Sequence, residues 1–204
     1  MPLTKLFADG WKLVNVFNCQ LNETRKFTRL LSVIANKPDR ERIKVLGPDR
    51  SCAEWLLRNG ATVKWKGSTK WQTDYNTLPS ADNKKTYHIE EIDVDEAGIM
   101  AVGFEHFDGC NHIKRIRLHH CPYLPDEALM LAVDKLKHTL EHLELTSCGD
   151  ITDSGLLYLQ HLSLLRTLLL RDLPEVIEPQ NCLKQLSAKL LQCAINFDGV
   201  NKYH

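Results

Sequence analysis

The sequence predicts a mixed α/β fold in which short parallel strands alternate with helices. Two observations carry this prediction. The first is the stretch at residues 140–156, which reads L-x-x-L-x-L-x-x-C-x-x-I-T-D-x-G-L. Its L-x-L core puts two leucines on one side of a short strand. Cys148 then sits where the chain turns off that strand, a place for a small side chain that tolerates burial. The second observation is recurrence. Copies of the pattern begin at Ile89, Ile113, Leu140, Leu165 and, in worn form, Leu190, at spacings of 24, 27, 25 and 25 residues. Together these are the signature of a short leucine-rich-repeat solenoid of about four to five cysteine-containing repeats. One such unit cannot bury its own apolar face, so the copies must stack to make a core.

Three segments follow from this pattern: a presequence-like stretch at 1–26, an N-terminal α+β capping segment at 27–86, and the repeat domain at 87–204. In the first, Leu3, Leu6, Phe7, Trp11, Val14 and Phe17 recur at helical spacing among Lys5, Lys12, Arg25 and Lys26. A basic amphipathic N-terminus fits a mitochondrial presequence; the plainer reading is a surface helix. Phe27, Leu30, Leu31 and Ile34 make a second stripe, which Pro38 ends. A charged helix is expected from Asp39 to Leu46, and another from about Asp49 through Cys52, Trp55 and Leu56. Gly60 supplies the left-handed position after it. Residues 61–65 read as a strand and Lys66-Gly67 as a turn, with Trp71, Tyr75 and Leu78 as apolar anchors. This segment should cover the open end of the first repeat. Within the repeats, Leu129, Ala132, Val133 and Leu136 fit one helix face, and Leu183, Leu186 and Leu190 fit it more loosely. Thr152 should cap a helix that begins at Asp153.

Composition removes several classes of function. Lysine and arginine number 26, aspartate and glutamate 26, so there is no basic excess for nucleic acid. No apolar run approaches the ~20 residues of a transmembrane helix. Lys5, Asp9 and Lys12 interrupt any secretory signal core. Seven cysteines, two of them at matching repeat positions, read as reduced and mostly buried.

Residues flanking the inward leucines point to the concave face and form three rows across the sheet. They are Glu91, Arg115, His142 and Thr167; Asp93, Arg117, Glu144 and Leu169; and Asp95, His119, Thr146 and Arg171. Neighbouring strands lie about 4.8 Å apart, so Asp93, Arg117 and Glu144 are expected to form an alternating-charge ladder. Arg115, Arg117 and Arg171, with Asp93 and Glu144, are the candidate partner-binding residues. A self-neutralising solvated face is the alternative. His119-His120-Cys121 resembles a ligand cluster, but strand alternation sends the two imidazoles to opposite faces and no second ligand pair completes a zinc set. No nucleophile or hydrolase motif is present, and an enzyme is not expected.

The capping segment carries a more specific pattern. Gly47-Pro-Asp-Arg50, Glu54-Trp-Leu-Leu-Arg58, Gly60-Ala61, Trp71, Asp74-Tyr-Asn76 and Leu78-Pro79 resemble the mitochondrial coupling factor B family, also called ATP synthase subunit s. Val102-Gly103-Phe104, Ser147-Cys148-Gly149, Ile151-Thr152-Asp153 and Asp172-Leu173-Pro174 extend the match into the repeats. A sister family with this layout assembles the distal membrane arm of respiratory complex I. The resemblance implies a non-catalytic, peripheral, matrix-side protein of the inner membrane. Such a protein binds the membrane sector of ATP synthase and supports coupling of proton flow to ATP synthesis. It also implies a small Mg2+ site joining Gly60 to Asp95, with oxygen donors that suit a hard cation. Two departures stand out: His119-His120-Cys121 replaces the family's Cys-x-Cys dithiol, and Glu175 replaces a glycine after Leu173-Pro174. The alternative partners are complex I intermediates. A substrate receptor of a ubiquitin ligase is a third reading, which residues 61–67, read as strand and turn, argue against.

Overall fold

Asp39 caps helix α1 (Arg40–Leu46) by accepting from the Arg42 amide at 3.0 Å. Gly47 separates it from α2 (Pro48–Arg58), whose first position is proline, where the missing N–H costs nothing. Asn59 and Gly60 end α2, and Gly60 adopts φ +91°. A computed structural model describes residues 33–34, 36–80, 86–121 and 124–198. The presequence-like stretch and most of the stripe that follows it lie outside the described residues. The elements belong to the unit Asn36–His204; of the other unit, Met1–Ala35, residues 33 and 34 are described and are helical.

The described residues build one seven-stranded sheet in the order β2-β1-β3-β4-β5-β6-β7. Its members are β1 (Thr62–Trp65), β2 (Trp71–Gln72), β3 (Ile89–Asp95), β4 (Arg115–His119), β5 (His142–Thr146), β6 (Thr167–Arg171) and β7 (Ala194–Phe197). β3 to β7 run parallel, and β1 joins antiparallel to both β2 and β3. β1 therefore covers the free edge of β3, as the capping segment should. The sheet crosses the 86/87 boundary without a break.

Alternation then sorts the side chains. Ile92 and Val94, Ile116 and Leu118, Leu143 and Leu145, Leu168 and Leu170, and Ile195 and Phe197 are all buried. Helices α3 (Asp126–Leu136), α4 (Asp153–Tyr158) and α5 (Pro179–Lys189) add Leu129, Val133, Leu136, Leu156 and Leu186 to the same core. Thr152 caps α4 by accepting from the Ser154 amide at 3.2 Å. Between β3 and β4 a 3-10 helix (Ala101–Phe107) replaces the α-helix. Trp55 explains Gly103 there: a Cβ on Gly103 would stand 2.3 Å from Trp55 Cζ2.

Each of β3 to β6 is followed by a residue in the left-handed region: Glu96, His120, Ser147 and Asp172, at φ 46–53°. These are non-glycine residues in a conformation that few such residues adopt. The amides of Glu96, His120 and Ser147 donate to His119, Thr146 and Arg171 carbonyls of the next strand. The ladder thus extends one residue past the strands while the side chains leave their alternation.

His106 is buried and stacked on Trp55, with ring centroids 4.9 Å apart. Burial lowers its pKa from 6.5 to about 4. The folded value lies below the unfolded one, so the unfolded chain takes the proton first as pH falls. Stability is complete above pH ~6.5, declines below it, and the loss is complete near pH 4, on the order of 3 kcal/mol. Urea midpoints at pH 7, 5.5 and 4.5 should fall more steeply for the wild type than for His106→Gln. Parallel slopes would show that His106 charges without cost.

Candidate functional site

The strand registers bring the concave rows together. Glu91, Arg115, His142 and Thr167 are direct neighbours in turn, as are Asp93, Arg117, Glu144 and Leu169, and Asp95, His119, Thr146 and Arg171. Arg115, His142 and Thr167 of the first row and all four residues of the second line a groove of about 630 Å3 that β2 closes on one side with Trp71. Trp71 is 41% exposed, so it is a wall of this groove and not the apolar anchor its sequence context suggests. β2 has only two residues and holds the indole beside Lys64, 5.8 Å from the ring centroid. Sequence context reads Trp71 as an apolar anchor and gives no reason to put it on the concave face.

Charge pairing in the groove departs from a simple ladder. The Arg117 guanidinium is bidentate on Asp93, with Nε donating to Oδ1 at 2.7 Å and Nη2 to Oδ2. That pairing raises the Arg117 pKa. Glu144 does not complete the row: its Oε1 lies 2.8 Å from His119 Nε2, diagonally across the sheet. Diagonal neighbours are within reach of long side chains, and His119 offers a ring nitrogen where Arg117 is already engaged. Arg115 lies 3.7 Å from Glu91, which Lys64 also contacts at 2.8 Å. Arg171 stands apart from the other two arginines. It sits two strands away and contacts Asp198 at 3.3 Å. The structure therefore gathers Asp93, Arg115, Arg117 and Glu144 at one groove and leaves Arg171 outside its lining.

At the strand ends a second cluster forms. His119 closes β4, and the left-handed backbone at His120 turns the next imidazole back toward its neighbour. The expectation that His119 and His120 face opposite sides is thereby corrected: alternation holds within the strand, and His120 lies one residue beyond it. Asp95, His119 and His120 each offer a ligand atom, and these lie within 4.8 Å of one another. Asp95 Oδ1 is 2.8 Å from His120 Nδ1, a contact that lowers the aspartate pKa and raises the histidine pKa.

Gly60 belongs to the same corner. Continued two residues, the antiparallel register that pairs Thr62 with Asp93 sets Gly60 opposite Asp95. A Cβ on Gly60 would lie 3.9 Å from the Ala97 side chain, which brings this backbone close to the turn after β3. A main-chain carbonyl and an exposed carboxylate are the hard oxygen donors that magnesium takes.

Behind the strands, Cys121 and Cys148 are buried at matching turns. Cys121 Sγ donates to the His119 carbonyl at 3.2 Å, and Cys148 Sγ to the Thr146 carbonyl at 3.5 Å. The neighbouring Cys148 thiol and burial push the Cys121 thiol up, so it is a poor nucleophile.

No family model matches the chain. Over 170 residues it is 42% identical to the ATP synthase subunit s, mitochondrial, of Homo sapiens, across 82% of this chain and 84% of that protein. The Bos taurus protein of the same name is 37% identical over 178 residues, across 86% and 88% of the two chains. The distal membrane arm assembly component 2 of Drosophila melanogaster is 28% identical over 142 residues, 68% of this chain and 49% of that protein.

Proposed function

Because the chain belongs to the ATP synthase subunit s family, we propose that it is a mitochondrial, non-catalytic protein that associates with ATP synthase. In this reading the five parallel strands and their helices are a leucine-rich-repeat solenoid, and its concave face is the docking surface. The partner is the membrane sector, approached from the matrix side, and the role is to support coupling of proton flow to ATP synthesis. No described helix is long and apolar enough to cross a membrane, which agrees with peripheral attachment.

The observation that carries the docking surface is Arg117. Its guanidinium is fixed by Asp93 and is still 42% exposed at an open groove. A guanidinium already held in one orientation loses little freedom when it meets a partner carboxylate. Magnesium at Gly60 and Asp95 would supply a fixed positive charge beside this face. Gly60 offers its carbonyl there, and the exposed Asp95 offers its carboxylate.

Affinity capture of the tagged full chain from detergent-treated mitochondria tests the partner. Subunits of the ATP synthase membrane sector should be recovered above the level of a tag-only control. Recovery of complex I intermediates without ATP synthase would overturn the reading in favour of an assembly factor, the role named for the Drosophila melanogaster relative.

A further inference from the structure

We propose that Asp95, His119 and His120 form a three-ligand site for a divalent transition metal, zinc first, at the rim where β3 and β4 end. Among the described residues this is the one group of three metal-ligating side chains found so close together, with ligand atoms within 4.8 Å. Four-coordinate zinc with bonds of 2.0–2.1 Å places its ligands about 3.4 Å apart, so a pair at the 4.8 Å limit must close by about 1.4 Å, while Asp95 Oδ1 and His120 Nδ1, now 2.8 Å apart, must open slightly. The Asp95 and His120 side chains are 58% and 53% exposed and are free to make that movement. His119 is less exposed, and Glu144 holds its Nε2, so a metal would take its Nδ1. An imidazole fixed by a carboxylate is the usual support for a metal-bound histidine.

Donor chemistry decides the metal. Two imidazoles and one carboxylate favour zinc, cobalt or nickel over magnesium, which prefers oxygen. Three protein ligands leave the fourth position open, and at an exposed rim that position faces solvent or a partner side chain. This proposal does not rest on the ATP synthase reading. It shares Asp95 with the magnesium reading and differs from it in needing both histidines.

The test is titration of the full chain with Co2+ as a spectroscopic probe and then with Zn2+ by calorimetry. The wild type should show the visible absorption of four-coordinate cobalt, displaced by one equivalent of Zn2+ and not by a thousandfold excess of Mg2+. His119→Ala and His120→Ala should each weaken Zn2+ binding by at least about tenfold to a hundredfold, and Glu144→Gln by about tenfold. His138→Ala, at an exposed histidine elsewhere, should change nothing. Circular dichroism reports folding, and Glu144→Gln carries the test if either histidine variant is misfolded. Zinc binding that is no tighter than magnesium binding would overturn the proposal. So would binding that survives both histidine substitutions, or that is unchanged in Glu144→Gln while the histidine variants fail to fold.

Discussion

Asn36→Ala is expected to lower stability by about 2–4 kcal/mol. Asn36 is fully buried. Its Oδ1 accepts from Trp55 Nε1 and from the Met100 amide, both at 3.0 Å. Its Nδ2 donates to the Gly98 carbonyl at 3.1 Å. The one side chain thus ties α2 to the turn after β3 and to the 3-10 helix. Alanine leaves a buried indole N–H without its acceptor, and each such orphan costs about 1–3 kcal/mol. For a chain of this size the thermal midpoint should drop by roughly 5–15 °C. Lys37→Ala, next door, should shift it by no more than a degree or two. A midpoint for Asn36→Ala within 2 °C of wild type would show that water replaces the amide without loss.

Much of the fold was legible because repeats state their own period. The L-x-L pairs at Ile92, Ile116, Leu143, Leu168 and Ile195 mark the strands, and the structure pairs them in that register. Cap chemistry was equally local: Thr152 before Asp153, and Asp39 before Arg40. What stayed hidden depends on contacts between distant residues. Asn36 lies outside every apolar stripe, and its partners are 19 to 64 residues away. The buried Glu54 carboxylate gathers Arg42 at 2.5 Å and Arg50 at 3.2 Å, which a charged helix pattern does not foretell.

The candidate site shows the same division. Its rows followed from strand alternation and held. The pairing within them did not follow, because long side chains choose among direct and diagonal neighbours of nearly equal reach. Glu144 chose His119, and Arg171 chose Asp198 near the end of the chain. Alternation also failed at His120, where a left-handed residue follows the strand. No residue type demands that conformation there, and only comparison with Glu96, Ser147 and Asp172 reveals it as a feature shared by the turns after β3 to β6.

The second large effect concerns Arg117→Glu. The side chain is 42% exposed, and an exposed ion pair is worth only about 0–1 kcal/mol, so folding should survive. The new glutamate would stand between Asp93 and Glu144 in one row. A surface that offered a guanidinium to a partner carboxylate would then offer three acids. Like charges across an interface cost several kcal/mol, and about 3 kcal/mol is roughly a hundredfold in affinity. Lys184→Glu, exposed on α5 behind the sheet, makes the same charge change away from the groove. The decisive measurement is recovery of ATP synthase from solubilised mitochondria by wild-type, Arg117→Glu and Lys184→Glu protein at matched folding by circular dichroism. Wild type and Lys184→Glu should recover it alike, while Arg117→Glu recovers almost none. Equal recovery by all three would contradict docking through the concave face.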